Sequence, residues 1–153
     1  MKEKFFQENI RELFLKKKYQ ELVSKIENYY KSNSKPPGLS NLSGVCKVLM
    51  KNRTKTDILS ALKDFEDCYY KSNLIPQKTE ALCNYITACV NNSKIFLEIS
   101  IYFEKAKALF EEHKNKIGYN EKFYMHGVDV YKQLLEHSNV DKLLNELIKN
   151  NTN

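Results

Sequence analysis

The stretch Tyr29-Tyr30-Lys31-Ser32-Asn33 returns as Tyr69-Tyr70-Lys71-Ser72-Asn73, an offset of 40 residues. Pro36 lands on Pro76 at the same offset. Self-similarity at a fixed period of this size marks a stacked array, each unit being one supersecondary element that cannot bury its apolar face alone. A third copy is weaker. Ala61, Phe65, Glu66 and Asp67 match Ala106, Phe110, Glu111 and Glu112 at an offset of 45. The longer offset places an extension around residues 93–101, at the start of a sixth helix.

Outward from the repeat, helical periodicity recurs eight times. Phe6, Ile10, Leu13 and Phe14 form the first stripe, then Tyr19, Leu22, Val23 and Ile26, then Leu42, Val45, Cys46 and Leu49. Ile58, Leu62, Phe65 and Tyr69 follow, then Leu82, Tyr85, Ile86, Cys89 and Val90, then Phe96, Ile99, Phe103, Ala106 and Phe110. Tyr124, Val128, Tyr131 and Leu135, and lastly Val140, Leu143, Leu144, Leu147 and Ile148, complete the set. Each is one apolar face at 3.6 residues per turn.

The breaks are short: Ser34-Lys35-Pro36-Pro37-Gly38, Arg53 to Thr56 with Thr56 as N-cap, Pro76, Asn91-Asn92-Ser93, Gly118-Tyr119-Asn120 and Ser138-Asn139. Short connections set neighbouring helices antiparallel. The expectation is an all-α, single-domain stack over 1–153: eight helices in four hairpins, near 3–33, 39–73, 79–117 and 121–150.

Composition agrees. A chain of 153 residues that is 42% hydrophobic and 29% charged can bury a core. With 4 Gly and 3 Pro it lacks the turn residues of a sandwich or barrel. No apolar run is long enough to span a membrane. The N-terminal segment is amphipathic but carries Glu3, Glu8 and Glu12, so it reads as a first helix rather than a transit peptide.

Net charge is +6, the balance expected of a nucleic-acid partner. Of the 25 basic residues only Arg11 and Arg53 are arginine, the side chain best suited to bidentate phosphate contacts. A lysine-, asparagine- and tyrosine-rich chain of this kind also follows from AT-rich coding. Cys46, Cys68, Cys83 and Cys89 show no Cys-x-x-Cys spacing. Cys46 and Cys89 lie on apolar stripes as core thiols, which points to a reducing compartment.

The pairs Ala61…Phe65 and Ala106…Phe110 resemble the second helix of pentatricopeptide (PPR) and tetratricopeptide (TPR) units, where a small residue precedes an aromatic by four. The stretch AKALFEEH at 106–113 is closely similar to a PPR second helix, and Leu82 to Thr87 to a PPR first helix. Phe65 stands eleven residues before Pro76, nearer the PPR spacing than the TPR one. The resemblance covers about 38–120 and departs in unit length, since PPR units are shorter than these. It implies a protein that binds single-stranded RNA in mitochondria or plastids. Carried over, it makes Ser43 and Asn84 first-helix base readers, with His126 a third. Lys47 and Lys51, at i+4 and i+8 from Ser43, would track the phosphate backbone or else lie as solvated surface.

No chemistry emerges from spacing. There is no glycine-rich phosphate loop, and His113, His126 and His137 stand apart from one another. His113 and His137 fall near expected helix C-termini, where an imidazolium is favoured. The two Tyr-Tyr pairs either stack bases or fill the seam between hairpins. The reading is of a non-enzyme without cofactor or metal: an RNA-associated helical-repeat subunit of an organellar ribonucleoprotein such as the mitoribosome. It would sit in the mitochondrial matrix, or otherwise the cytoplasm, beside protein partners. The alternatives are a TPR-like adaptor, or a structural subunit of a respiratory complex without RNA.

Overall fold

The five stripes between Phe6 and Val90 become five α-helices in a computed structural model that describes residues 2–31 and 33–117. They are α1 (Lys2–Leu15), α2 (Tyr19–Tyr30), α3 (Pro37–Leu49), α4 (Lys55–Lys71) and α5 (Ile75–Asn92). The sixth stripe divides. Phe96 and Ile99 belong to a 3-10 helix, Leu97–Tyr102, and its N-cap, while Phe103, Ala106 and Phe110 lie on α6 (Phe103–Ile117). The extension expected between the second and third copies of the repeat is this 3-10 segment. All regular structure among the described residues is helical, with no strand. The seventh and eighth stripes, the hairpin 121–150 and the turns at 118–120 and 138–139 lie outside the described residues.

The chain divides into two compact units, Met1–Ala81 and Leu82–Asn153. In the first, helices pack in chain order, α1 on α2, α2 on α3 and α3 on α4. This is a helical-repeat-like arrangement, built from neighbour contacts. Phe6, Ile10 and Leu13 from α1 meet Leu22 and Ile26 from α2 and Cys46 from α3. Phe14, Val23, Leu39 and Leu42 close over them. Burying each large aliphatic here contributes about 1.5–3 kcal/mol.

The repeat copies occupy equivalent places. Each Tyr-Tyr pair ends the second helix of a hairpin, and each proline opens the next one: Pro36 as N-cap of α3, Pro76 in the first turn of α5. Within each pair the rings meet edge to face, at 4.9 Å for Tyr29–Tyr30 and 5.1 Å for Tyr69–Tyr70. Tyr29 also stacks on Phe6 at 4.0 Å, across the α1–α2 seam. Tyr69 is fully buried, while Tyr70 stays exposed.

Local chemistry explains the ends. α1 finishes in a Schellman motif: Lys18 N–H donates to the Leu13 carbonyl and Lys17 N–H to that of Phe14, with Lys17 at φ 59. α4 begins at Thr54, not at Thr56 as the sequence suggested. Asp57 Oδ2 accepts from the Thr54 N–H at 2.8 Å, and Thr54 Oγ1 accepts from the Asp57 N–H at 3.2 Å. Thr54 wins because an acid stands three residues later, completing the capping box; three residues after Thr56 stands Leu59, which cannot reciprocate.

α3 and α4 approach closely at Gly44. A β-carbon there would stand 2.5 Å from the Phe65 ring. A glycine inside a helix costs roughly 1 kcal/mol relative to alanine, and here the missing methyl is the space the ring occupies. Ala61, one turn before Phe65, is buried as well, so the small-then-aromatic pair of α4 is a packing device.

The second unit repeats that device. Ala106 and Phe110 are buried on α6, together with Leu109 and His113. On its stretch of α5, Leu82, Tyr85, Ile86 and Cys89 are buried. α5 ends where the Asn92 carbonyl accepts from both the Ile95 and Phe96 N–H groups.

Candidate functional site

Four charges of the first unit converge on one spot. Lys47, on α3, reaches Asp64 Oδ2 on α4 at 2.7 Å and Ser60 Oγ at 2.8 Å. Lys35, in the loop before α3, reaches Asp64 Oδ1 at 3.2 Å and Glu27 Oε1 on α2 at 3.0 Å. Glu27 lies 3.9 Å from Lys47 as well. Both side chains of the central pair are almost wholly buried, 9% exposed for Lys47 and 6% for Asp64. Two cations and two anions leave the network neutral, as a buried cluster must be. Burial works against the Lys35 ammonium, but the Glu27 hydrogen bond and the Asp64 charge outweigh it and hold its pKa above the ordinary lysine value.

Two of the residues proposed from sequence to contact RNA lie in the interior of this unit. Ser43 is fully buried, and its hydroxyl finds no hydrogen-bond partner among the described residues. It has no edge to offer a base. Lys47 is not solvated surface: it is buried, and its ammonium is taken up by Asp64 and Ser60. Lys51 is exposed just beyond the end of α3. Asn84 lies half-buried on α5 in the second unit, and His126 lies outside the described residues. The expected line of Ser43, Lys47 and Lys51 along one open face is absent, because Ser43 and Lys47 lie on the buried side of α3 and Lys51 falls beyond its last residue, Leu49.

A cleft of about 770 Å³ opens where the α1–α2 turn, the start of α2, the end of α3 and the turn into α4 meet. Its cationic lining comes from Lys17, Lys18 and Lys51, all exposed, and from the ion-paired Lys47. Its apolar lining comes from Val23, Leu49 and Met50. Leu49 is 45% exposed. Glu21 and Asp57 also border the cleft, and Asp57 is engaged in the Thr54 capping box. Lys17, Lys18 and Lys51 make no ion pair among the described residues. The volume falls within the range of ligand and peptide clefts, roughly 300–1,000 Å³. Sequence reasoning missed Lys17 and Lys18. The signal available was the run Lys16-Lys17-Lys18 at a helix junction that offers no glycine and no capping side chain.

The nucleophiles are put out of reach. All four cysteines are free and buried. Desolvation pushes Cys46 and Cys89 up to about 12 and Cys68 up to about 11, where the reactive thiolate is scarcely populated. Among the described residues no group of three or more His, Cys, Asp or Glu could hold a metal ion, and no helix is long and apolar enough to cross a membrane.

Comparison with protein-family models, with curated proteins and with solved structures finds no match to this chain.

Proposed function

We propose that this chain is a non-catalytic helical-repeat subunit of a larger assembly, its hairpins stacked in the manner of PPR and TPR units. The observation that carries this reading is the cleft of the first unit, where three exposed lysines with no ion pair among the described residues stand beside the exposed Leu49. The buried ionisable groups are in structural use: Lys47 and Asp64 neutralise each other, and burial quenches the thiols. What the fold leaves available is surface.

A chain of net charge +6 suits an RNA-associated assembly, an organellar ribonucleoprotein such as the mitoribosome in the mitochondrial matrix. In that setting the exposed lysines meet RNA phosphates and the helix faces meet neighbouring proteins. A second reading, a TPR-like adaptor that holds a protein segment without RNA, is favoured by the burial of Ser43 and Lys47, which removes the α3 readers.

Co-purification of the tagged chain from its native cell separates the two. A ribosomal RNA peak is the expected result. A stoichiometric protein partner with no RNA selects the adaptor, and a chain recovered alone from gentle lysis at low salt overturns both. If RNA is retained, its log affinity falls linearly with log salt; a flat response would remove phosphate contacts from the account.

A further inference from the structure

Two consecutive residues of the α1–α2 turn work against the fold that holds them. Lys17 sits at φ 59, at the position closing the α1 Schellman motif, where glycine is favoured because a β-carbon is crowded there. Lys18 is the N-cap of α2, makes no side-chain capping bond, and sets a cation at the positive end of that helix. Glycine followed by serine would serve this turn better on both counts. Where local rules are broken at adjacent positions, the side chains are in use elsewhere. Both of these side chains line the cleft, facing it with Lys51.

The rest of the lining narrows what the three cations meet. A nucleic-acid backbone would satisfy the lysines but leave Leu49 and Met50 without an apolar partner. A neutral apolar ligand would cover Leu49 and leave the lysines idle. One chemistry answers both: carboxylates for Lys17, Lys18 and Lys51, and aliphatic side chains for Val23, Leu49 and Met50. We propose that the cleft docks an acidic amphipathic segment of a neighbouring protein, with leucine-like anchors seated on Leu49 and Met50. The proposal rests on the reading of the chain as an assembly subunit, and names the partner chemistry of its open cleft.

The test uses the full chain and fluorescence anisotropy. One probe is a labelled peptide of glutamates with leucines at helical spacing. The others are the same peptide with lysine for glutamate, and a single-stranded oligonucleotide. The glutamate–leucine peptide is expected to bind, and to weaken as salt rises. The combined variant Lys17→Gly/Lys18→Ser is expected to raise Tm while lowering peptide affinity about tenfold. Leu49→Ser lowers affinity as well, through the apolar half of the site. Opposite signs for stability and binding cannot come from misfolding.

Three results overturn the proposal: no binding of the acidic peptide; a higher Tm with unchanged affinity; or oligonucleotide binding that is lost in the lysine variant but indifferent to Leu49→Ser. An assembly recovered from cells by a chain that ignores the peptide sinks this assignment and leaves the subunit reading standing. A chain recovered alone that still binds the peptide supports the assignment and removes the subunit reading.

Discussion

At Gly44 the absence of a single methyl lets α3 and α4 close on each other. Three atoms of the Phe65 ring stand 2.5–2.9 Å from where a β-carbon would be. Gly44→Ala gains helix propensity of about 1 kcal/mol but must displace a ring that is itself buried. The net expectation is a loss of roughly 1–3 kcal/mol. It would be read as a lower urea midpoint at constant slope, and the double variant Gly44→Ala/Phe65→Leu should recover part of it. An unchanged midpoint for the single variant would mean that the ring has room to swing aside. Ala61 and Phe65 were legible in the sequence as a packing pair, because their spacing repeats at Ala106 and Phe110. Gly44 was not, since nothing in a lone glycine announces which ring will lie against it. Lys47 was read outward because lysine is nearly always solvated, and the residue that turns it inward, Asp64, lies on another helix.

Between elements, the Lys47–Asp64 pair fastens α3 to α4, and Lys35 with Glu27 extends that fastening to α2. Asp64→Ala takes the central carboxylate from the buried Lys47 and leaves Lys35 with Glu27 alone, and a loss of about 3 kcal/mol is expected in urea unfolding. Lys47→Met/Asp64→Leu, which removes both charges of the central pair and fills their volume, should restore most of it. If the double variant is no better than the single, the pair contributes net attraction beyond avoiding a stranded charge. The helices joined here were readable one by one, because five apolar stripes of 3.6-residue period map onto α1 to α5. The sixth stripe misled at its start. Its 3-4-3-4 steps continue a helical phase through Phe96 and Ile99, yet α5 ends at Asn92, and residues 97–102 wind as a 3-10 turn. Periodicity counts residues and does not distinguish an α-helical from a 3-10 winding over so short a span. The cleft was illegible as well: it is assembled from two turns and the helix ends beside them, whose residues share no pattern along the chain.

Across the whole molecule the four thiols report on the fold together. Ellman's reagent at pH 8 should find none of them in the native chain and all four once denaturant is added; a thiol that titrates in the native state would place it at the surface. Their protonation also sets the alkaline limit. Burial raises Cys46, Cys68 and Cys89 above the ordinary thiol value of 9.0, so the unfolded chain releases these protons first. Their stabilising contribution is complete below that value and is lost as pH climbs through the folded values, by up to about 1.4 kcal/mol per pH unit for each thiol. Lys35, held protonated by Glu27 and Asp64, acts in the same direction at higher pH. Unfolding free energy should therefore decline from about pH 9 upward, with a shallower slope in Cys46→Ala. A slope unchanged by that substitution would detach the thiol from the alkaline transition.

The paired Tyr-Tyr-Lys-Ser-Asn segments carry an evolutionary consequence. Residues 34–73 are preceded and terminated by the same five residues, so a tandem duplication of that cassette creates no unfamiliar join. Asn73 would run into a second Ser34 just as Asn33 does now. The charged interior is prepared for the same event. Asp67 stands forty residues beyond Glu27, an acid at the same place on the preceding helix. A duplicated Lys35 would therefore find a carboxylate waiting on α4. Such a duplication would add 40 residues with both of its junctions already written in the present sequence.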